Sequence, residues 1–159
     1  LFRVGATMGL IDFGGYAFNS MRMEKMYRAW GNEFTEEISG VEAGMERFID
    51  TDRDFIGKEN ILHRCSQGVD IQLAYLAFDD DIACECFGNE AVYHSGELVG
   101  LTTGGAYGHR VGRSLAFAYL KPALVAQDVQ LQVLTTSGMR NCHVEVDALY
   151  DPKNERLRG

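Results

Sequence analysis

At 159 residues, with 46% apolar and 24% charged residues, the chain has the size and composition of one folded domain or of two small ones sharing an interface. Its formal net charge of −8 is spread along the sequence apart from the run Asp79-Asp80-Asp81, and no basic patch is left for nucleic acid. No apolar run approaches the ~18 residues that a membrane-crossing helix needs and no signal-peptide pattern opens the chain, so a cytoplasmic setting is expected, or the mitochondrial matrix if the source is eukaryotic.

The first residue is Leu1, and Leu1, Val4 and Met8 already keep helical spacing up to a stop at Gly9. A chain that starts inside a helix is expected to be a piece of a longer one. Leu10 to Gly15 reads as a short connection ending in a Gly-Gly pair, and a central helix is predicted from about Tyr16 to Trp30. Within it Met23, Met26, Tyr27 and Trp30 fall at i, i+3, i+4 and i+7, the template of one apolar face. Glu24, Lys25 and Arg28 are expected on the opposite, wetted side, with Glu24 and Arg28 as an acid-first i,i+4 pair. Arg22 belongs to neither group. At about 100° per residue it lies on the flank of the apolar stripe, where a guanidinium that cannot lose its charge must meet an acceptor. That acceptor is either a ligand or a carboxylate binding the two halves of the chain together. Gly31 and Asn32 suit a left-handed cap.

A polar loop follows from Asn32 to Ile38, and Ser39 and Glu42 stand three apart as in a capping box. Asp50 to Asp54 is a charged turn that lacks the glycine and bidentate glutamate of a calcium loop. A second helix is predicted over Lys58 to Gln67, with Ile61, Leu62 and Cys65 inward and Gly68 as its stop. From Val69 the period changes to two. Alternation in Val69–Phe78, a hairpin turn at Ser95-Gly96, a strand at Ser114–Leu120 and further alternation around a Ser137-Gly138 turn make about six antiparallel strands, enough for a small barrel or sandwich. The chain thus reads as α+β, with helices in residues 1–67 and a small antiparallel β module in 68–159.

Between the strands, Gly100 to Ser114 is glycine-rich and carries Tyr107, His109, Arg110 and Arg113. It reads either as a long connection whose glycines serve backbone angles or as a loop presenting cations to a ligand. Cys65, Cys84, Cys86 and Cys142 show no CxxC spacing and read as reduced thiols, and the four histidines lack metal-site spacing, so no metal is assigned. No serine stands in G-x-S-x-G. From these residues alone no reaction follows.

The order of segments carries more. Ser20-Met-Arg-Met-Glu-Lys25, Tyr27-Arg-Ala-Trp-Gly31, Val41-Glu-Ala-Gly44, Asp54-Phe-Ile-Gly-Lys58, Gly96-Glu-Leu-Val-Gly100, Thr103-Gly-Gly-Ala-Tyr107, Ser114-Leu-Ala-Phe-Ala-Tyr119 and Tyr150-Asp-Pro152 succeed one another over nearly the whole chain. In this order they resemble the carboxy-terminal part of the folate-dependent aminomethyltransferase (glycine-cleavage T-protein) superfamily. Glu24-Lys25 and Arg28-Ala-Trp-Gly31 bring the resemblance closer to its dimethylglycine and sarcosine dehydrogenase branch.

The resemblance implies that residues 1–67 end a folate-binding domain and that 68–159 form the T-protein-like C-terminal β-barrel. It implies tetrahydrofolate as ligand, with Arg22 and Glu24 matching the arginine and glutamate of the family's S-x-R-x-E motif, and no catalytic residue in this piece. For a parent protein it implies oxidation of an N-methyl amine on FAD held in an upstream domain, with the one-carbon unit passed to tetrahydrofolate. The piece alone is then inactive, and it is expected to dock on a missing N-terminal half or to self-associate. A non-catalytic regulatory module of the same fold, or a flavin-free tetrahydrofolate-dependent aminomethyltransferase or demethylase, are the alternatives. Two departures stand out: Ser39-Gly40 replaces the family's Thr-Pro, and Met45-Glu46-Arg47 delays the aromatic that follows E-A-G until Phe48.

Overall fold

A computed structural model describes residues 1–159. Six strands, β1 (Gln72–Phe78), β2 (Ala91–His94), β3 (Glu97–Gly108), β4 (Arg113–Leu120), β5 (Gln130–Thr135) and β6 (Gly138–Glu145), close into an antiparallel barrel in the order β1-β4-β3-β2-β5-β6. β6 returns to pair with β1, Tyr75 opposite Glu145, so no strand edge stays open. The fold is α+β, and of barrel and sandwich it is the barrel.

Period-two alternation sorts the side chains of β1 to two cores. Ala74, Leu76 and Phe78 point into the barrel with Ala116, Ala118, Leu120, Val133 and Val144. Leu73, Tyr75 and Ala77 point outward, where Leu115, Phe117 and Ala106 complete an apolar platform under Met23. β1 is therefore buried on both faces from Leu73 onward. Each fully buried large side chain here contributes roughly 1.5–3 kcal/mol. Tyr75 adds direction: its hydroxyl donates to the Met23 carbonyl at 2.9 Å, and burial raises its pKa.

The helical part is small. α1 (Phe2–Gly5) runs into one 3₁₀ turn (Ala6–Met8) and stops at Gly9 in the left-handed conformation (φ 75°), as its spacing predicts. α2 spans Gly15–Glu24, α3 spans Lys58–Gln67 and α4 spans Glu155–Arg158.

Three sequence expectations are corrected. The central helix ends at Glu24, six residues before Trp30, because Met26 turns left-handed (φ 56°) and the Tyr27 amide donates back to the Arg22 carbonyl at 2.8 Å. The segment after β6 secures this early stop: Lys25 Nζ donates to Asp151 Oδ2 at 2.9 Å and to its carbonyl at 2.7 Å, and the Tyr150 amide donates to the Glu24 carbonyl at 3.1 Å. The 3.6-residue register thus fails after Glu24, and Trp30 is 77% exposed instead of completing an apolar face. Second, Gly100–Gly108 is strand, not loop. A Cβ at Gly105 would run into the Leu115 carbonyl of the neighbouring strand, so glycine serves a close approach of backbones there. Third, α3 has the predicted bounds but buries nothing: Leu62 and Cys65 are exposed and Ile61 is only half-buried.

Candidate functional site

α2 lies across β3. The Asn19 amide donates to the Gly105 carbonyl at 3.0 Å and the Ser20 hydroxyl to the Tyr107 carbonyl at 2.7 Å. These bonds, together with Met23 on the outer platform, set the rotation of the helix. Arg22 is thereby turned inward to 6% exposure.

Its guanidinium is held from three sides. Nε donates to Asn19 Oδ1 at 2.7 Å, and Nη1 donates to the Tyr27 carbonyl at 3.1 Å and to Glu33 Oε2 at 2.9 Å. Glu33 is fully buried and saturated: Oε2 also accepts the Ala29 amide at 2.8 Å, and Oε1 accepts the Thr103 hydroxyl of β3 at 2.7 Å. Tyr119 of β4 donates to the Glu33 carbonyl at 2.8 Å, and burial, with Glu33 nearby, raises the phenol's pKa. Arg22 thus does bind the helical part to the barrel through a carboxylate, the structural alternative that the sequence left open. One group is left over. Nη2 is buried and has no hydrogen-bond partner.

Behind Gly104 from that nitrogen is a cavity of about 180 Å³, walled by Tyr16, Asn19, Asn32, Glu85, Cys86, Phe87, Gly104 and Gly105 but not by Arg22 itself. Asn19 belongs both to the wall and to the Arg22 cluster. A Cβ on Gly104 would lie 4.0 Å from Nη2 and 3.6 Å from Asn32 Nδ2, so two donors stand behind the bare backbone at that point. The wall offers the side-chain amides of Asn19 and Asn32 beside the Glu85 carboxylate and the Cys86 thiol, with the fixed charge of Arg22 behind Gly104.

Glu24, the second sequence candidate, does not share the Arg22 cluster and does not face water. It is 4% exposed, and its Oε1 accepts the amides of Arg110 and Val111, the latter at 3.3 Å. A side chain at Gly108 would come within 3.0 Å of Glu24 Cγ, so the glycine lets the acid reach the β3–β4 turn. The expected Glu24–Arg28 pair is absent because the helix has ended: Arg28 Nε donates to the Ala43 carbonyl at 3.1 Å and Nη1 to the Met26 carbonyl at 3.0 Å. The Ser39–Glu42 box forms by half. Glu42 Oε2 accepts the Ser39 amide at 2.7 Å, but a turn follows in place of a helix.

Sequence reasoning missed Glu33, Asn32 and Thr103. Asn19 was within reach, since it precedes Arg22 by three residues and so shares its helix face. Glu33 gave no such signal among the acids of a polar loop.

Residues 72–151, about half of the chain, match the family described as the glycine cleavage T-protein C-terminal barrel domain, and residues 1–53 match the GCVT N-terminal domain. The mitochondrial dimethylglycine dehydrogenases of Mus musculus and Homo sapiens are 36% identical over 159 residues and 35% identical over 163 residues, covering 97% and 99% of this chain. The chain spans only 18% and 19% of their lengths. In fold it is similar to the glycine cleavage system aminomethyltransferase T of Bartonella henselae, with a TM-score of 0.77 at 16% identity over 86% of this chain and 38% of that one. The chain belongs to the glycine cleavage T-protein, or aminomethyltransferase, family.

Proposed function

We propose that this chain is the C-terminal folate-binding portion of a demethylating amine dehydrogenase, acting on an N-methyl amine such as dimethylglycine or sarcosine. The observation that carries the folate reading is the buried Nη2 of Arg22, a charged donor without a partner directly behind Gly104, which lines the smaller cavity. Tetrahydrofolate fits that donor set, because its carboxylates and pterin edge are acceptors for a fixed guanidinium. When bound, it supplies the amines that take up a one-carbon unit. This chain's part is to bind and orient: Arg22 meets the ligand, Glu33 and Asn19 hold Arg22, and Glu24 acts at second hand by fixing the β3–β4 turn.

The whole-protein activity rests on similarity to the dimethylglycine dehydrogenases, of which this chain spans under a fifth. On this reading oxidation on FAD belongs to other parts of a longer polypeptide, and the chain alone is inactive. The division into 1–67 and 68–159 follows the change of architecture at Gly68. Every residue from Leu1 to Phe18 except Gly5 is exposed, among them Phe2, Val4, Ile11 and Phe13, and the partner that fits this apolar stretch is the remainder of a folate-binding domain. No helix is long and apolar enough to cross a membrane. The mitochondrial matrix is the proposed location, after the mitochondrial relatives.

Titrating tetrahydrofolate into the full-length protein and its Arg22→Ala and Arg22→Lys variants tests the reading. The expected result is an affinity at least about tenfold lower for Arg22→Ala, the loss that follows one missing charge-assisted hydrogen bond, with partial recovery in Arg22→Lys. Equal affinity in all three would sink it.

A further inference from the structure

On the other side of the α2 terminus lies a larger cavity, of about 620 Å³, between the turn at Gly44–Phe48 and the segment from Val146 to Asn154. Its walls carry three cations, Lys25, Arg28 and Arg47, and the apolar side chains of Met26, Phe34, Met45 and Phe48. Lys25 is matched by Asp151. The two arginines are not matched. The ion pairs of the chain use Arg22, Lys25, Arg64, Arg140 and His143, so no carboxylate oxygen lies within 4.0 Å of Arg28 or Arg47. Asp147, also in the wall, is exposed and pairs with neither.

Asp147 and Asp151 share the wall, and Glu33 and Glu46 act on Arg28 from farther off, but in a chain of net charge −8 two arginines without an acid in direct contact are unexpected. Arg28 is half-buried and can shed neither its charge nor its need for acceptors. Two backbone carbonyls take Nε and Nη1, and its plane rests over the Phe117 ring at 5.8 Å. Nη2 remains, 3.5 Å from where a Cβ on Gly44 would sit, and Gly44 is left-handed (φ 64°), so no side chain covers it. Burial first, and the Arg47 charge second, lower the Arg28 pKa, as expected where a second guanidinium faces the first. Arg47 lies over the Phe48 ring at 4.6 Å, which holds it at the cavity wall.

We propose that this second cavity binds an organic oxyanion, a carboxylate or phosphate on an aromatic or apolar body, with Arg28 and Arg47 sharing the anionic group and Phe34, Phe48 and Met45 packing on the body. Two forked donors in the wall of one cavity suit an oxyanion, and the ring and thioether walls give no use to a small hydrated ion. The site is separate from the Arg22 cavity and does not depend on the folate reading.

The full-length protein is titrated by calorimetry with phenyl phosphate, benzoate and inorganic phosphate, in parallel with an Arg47→Glu variant. Arg47 is exposed and makes no hydrogen bond to the rest of the chain, so that variant should fold, with an unchanged thermal midpoint in ligand-free buffer. Saturable binding of phenyl phosphate or benzoate, weakened about tenfold or more in Arg47→Glu, is the expected result. Preference for phenyl phosphate identifies the phosphate source of the oxyanion, and preference for benzoate the carboxylate. The proposal is overturned if neither organic anion binds, if Arg47→Glu binds them like the parent, or if inorganic phosphate binds as tightly as phenyl phosphate. Displacement of the bound anion by tetrahydrofolate would assign it to the Arg22 cavity and also overturn the proposal.

Discussion

Glu33 grips Arg22 at 2.9 Å with one carboxylate oxygen and Thr103 at 2.7 Å with the other, so a single fully buried acid both neutralises the arginine and fastens it to the barrel. Removing one partner of such a pair leaves the other charged and buried, which costs about 3–5 kcal/mol. Glu33→Gln should therefore lower stability by an amount of that order in denaturant unfolding. Thr103→Val, which removes one neutral donor from the same carboxylate, should cost only about 1 kcal/mol. A Glu33→Gln loss as small as that of Thr103→Val would mean that Arg22 finds another counter-charge.

Acid sensitivity should come from the end of the barrel at Asp80. Arg140, itself 8% exposed, donates Nε to Asp80 Oδ2 at 2.7 Å, Nη2 to the other oxygen and to the Ile82 carbonyl at 3.1 Å, and the hydrogen bonds from Arg140 hold the Asp80 carboxyl below its ordinary range. Lys25 does the same for Asp151. A lowered folded-state pKa adds stability that is complete above the unfolded value, near pH 4, and is lost as the pH falls through the folded value. Urea midpoints of the parent and Asp80→Asn should differ at pH 6 and converge as the pH drops below about 4. A gap that persists at low pH would contradict this origin.

Thiol chemistry should separate one cysteine from three. Cys65 is exposed on α3, whereas Cys84, Cys86 and Cys142 are buried. Burial raises the Cys86 pKa and pushes that of Cys142 up to about 12, so Cys86 and Cys142 present almost no thiolate at neutral pH. Burial alone shields Cys84. An aromatic disulfide reagent should titrate one thiol in the native protein and four after unfolding. Rapid native reaction of three or four would show that the loop carrying Cys84 and Cys86 opens readily.

What was legible in the sequence had a local cause. The Ser95-Gly96 hairpin was readable because both residues take positive φ, 51° and 84°, as a two-residue turn with the twist of its strands requires. The bounds of α3 followed from its periodicity and from Gly68. The illegible parts had distant causes. Met26 goes left-handed because Asp151 and Tyr150 hold the preceding residues, contacts more than a hundred positions away. Gly104 and Gly105 read as loop because glycine marks both free and crowded backbone, and only the partner strand tells which applies. Arg22 was recognisable as an arginine in need of an acceptor, since its place on the helix flank is a local fact. Glu33, which answers part of that need, was one acid among several in a polar loop. The face of α3 expected to be inward is exposed because no other part of this chain covers it.

The clasp of Lys25 on Asp151 also bears on biosynthesis. The tethers that join α2 and the Arg22 cluster to the barrel come from later in translation: Gly105 and Tyr107 receive Asn19 and Ser20, Thr103 and Tyr119 secure Glu33, and Asp151 holds Lys25. A nascent chain emerging amino end first therefore has α2 without its docking platform until β3 and β4, which end at Leu120, have been made. The walls of the smaller cavity are complete once Gly105 has been made; Tyr75 and the β3–β4 turn then hold the end of α2, and the clasp of Lys25 on Asp151 closes after them.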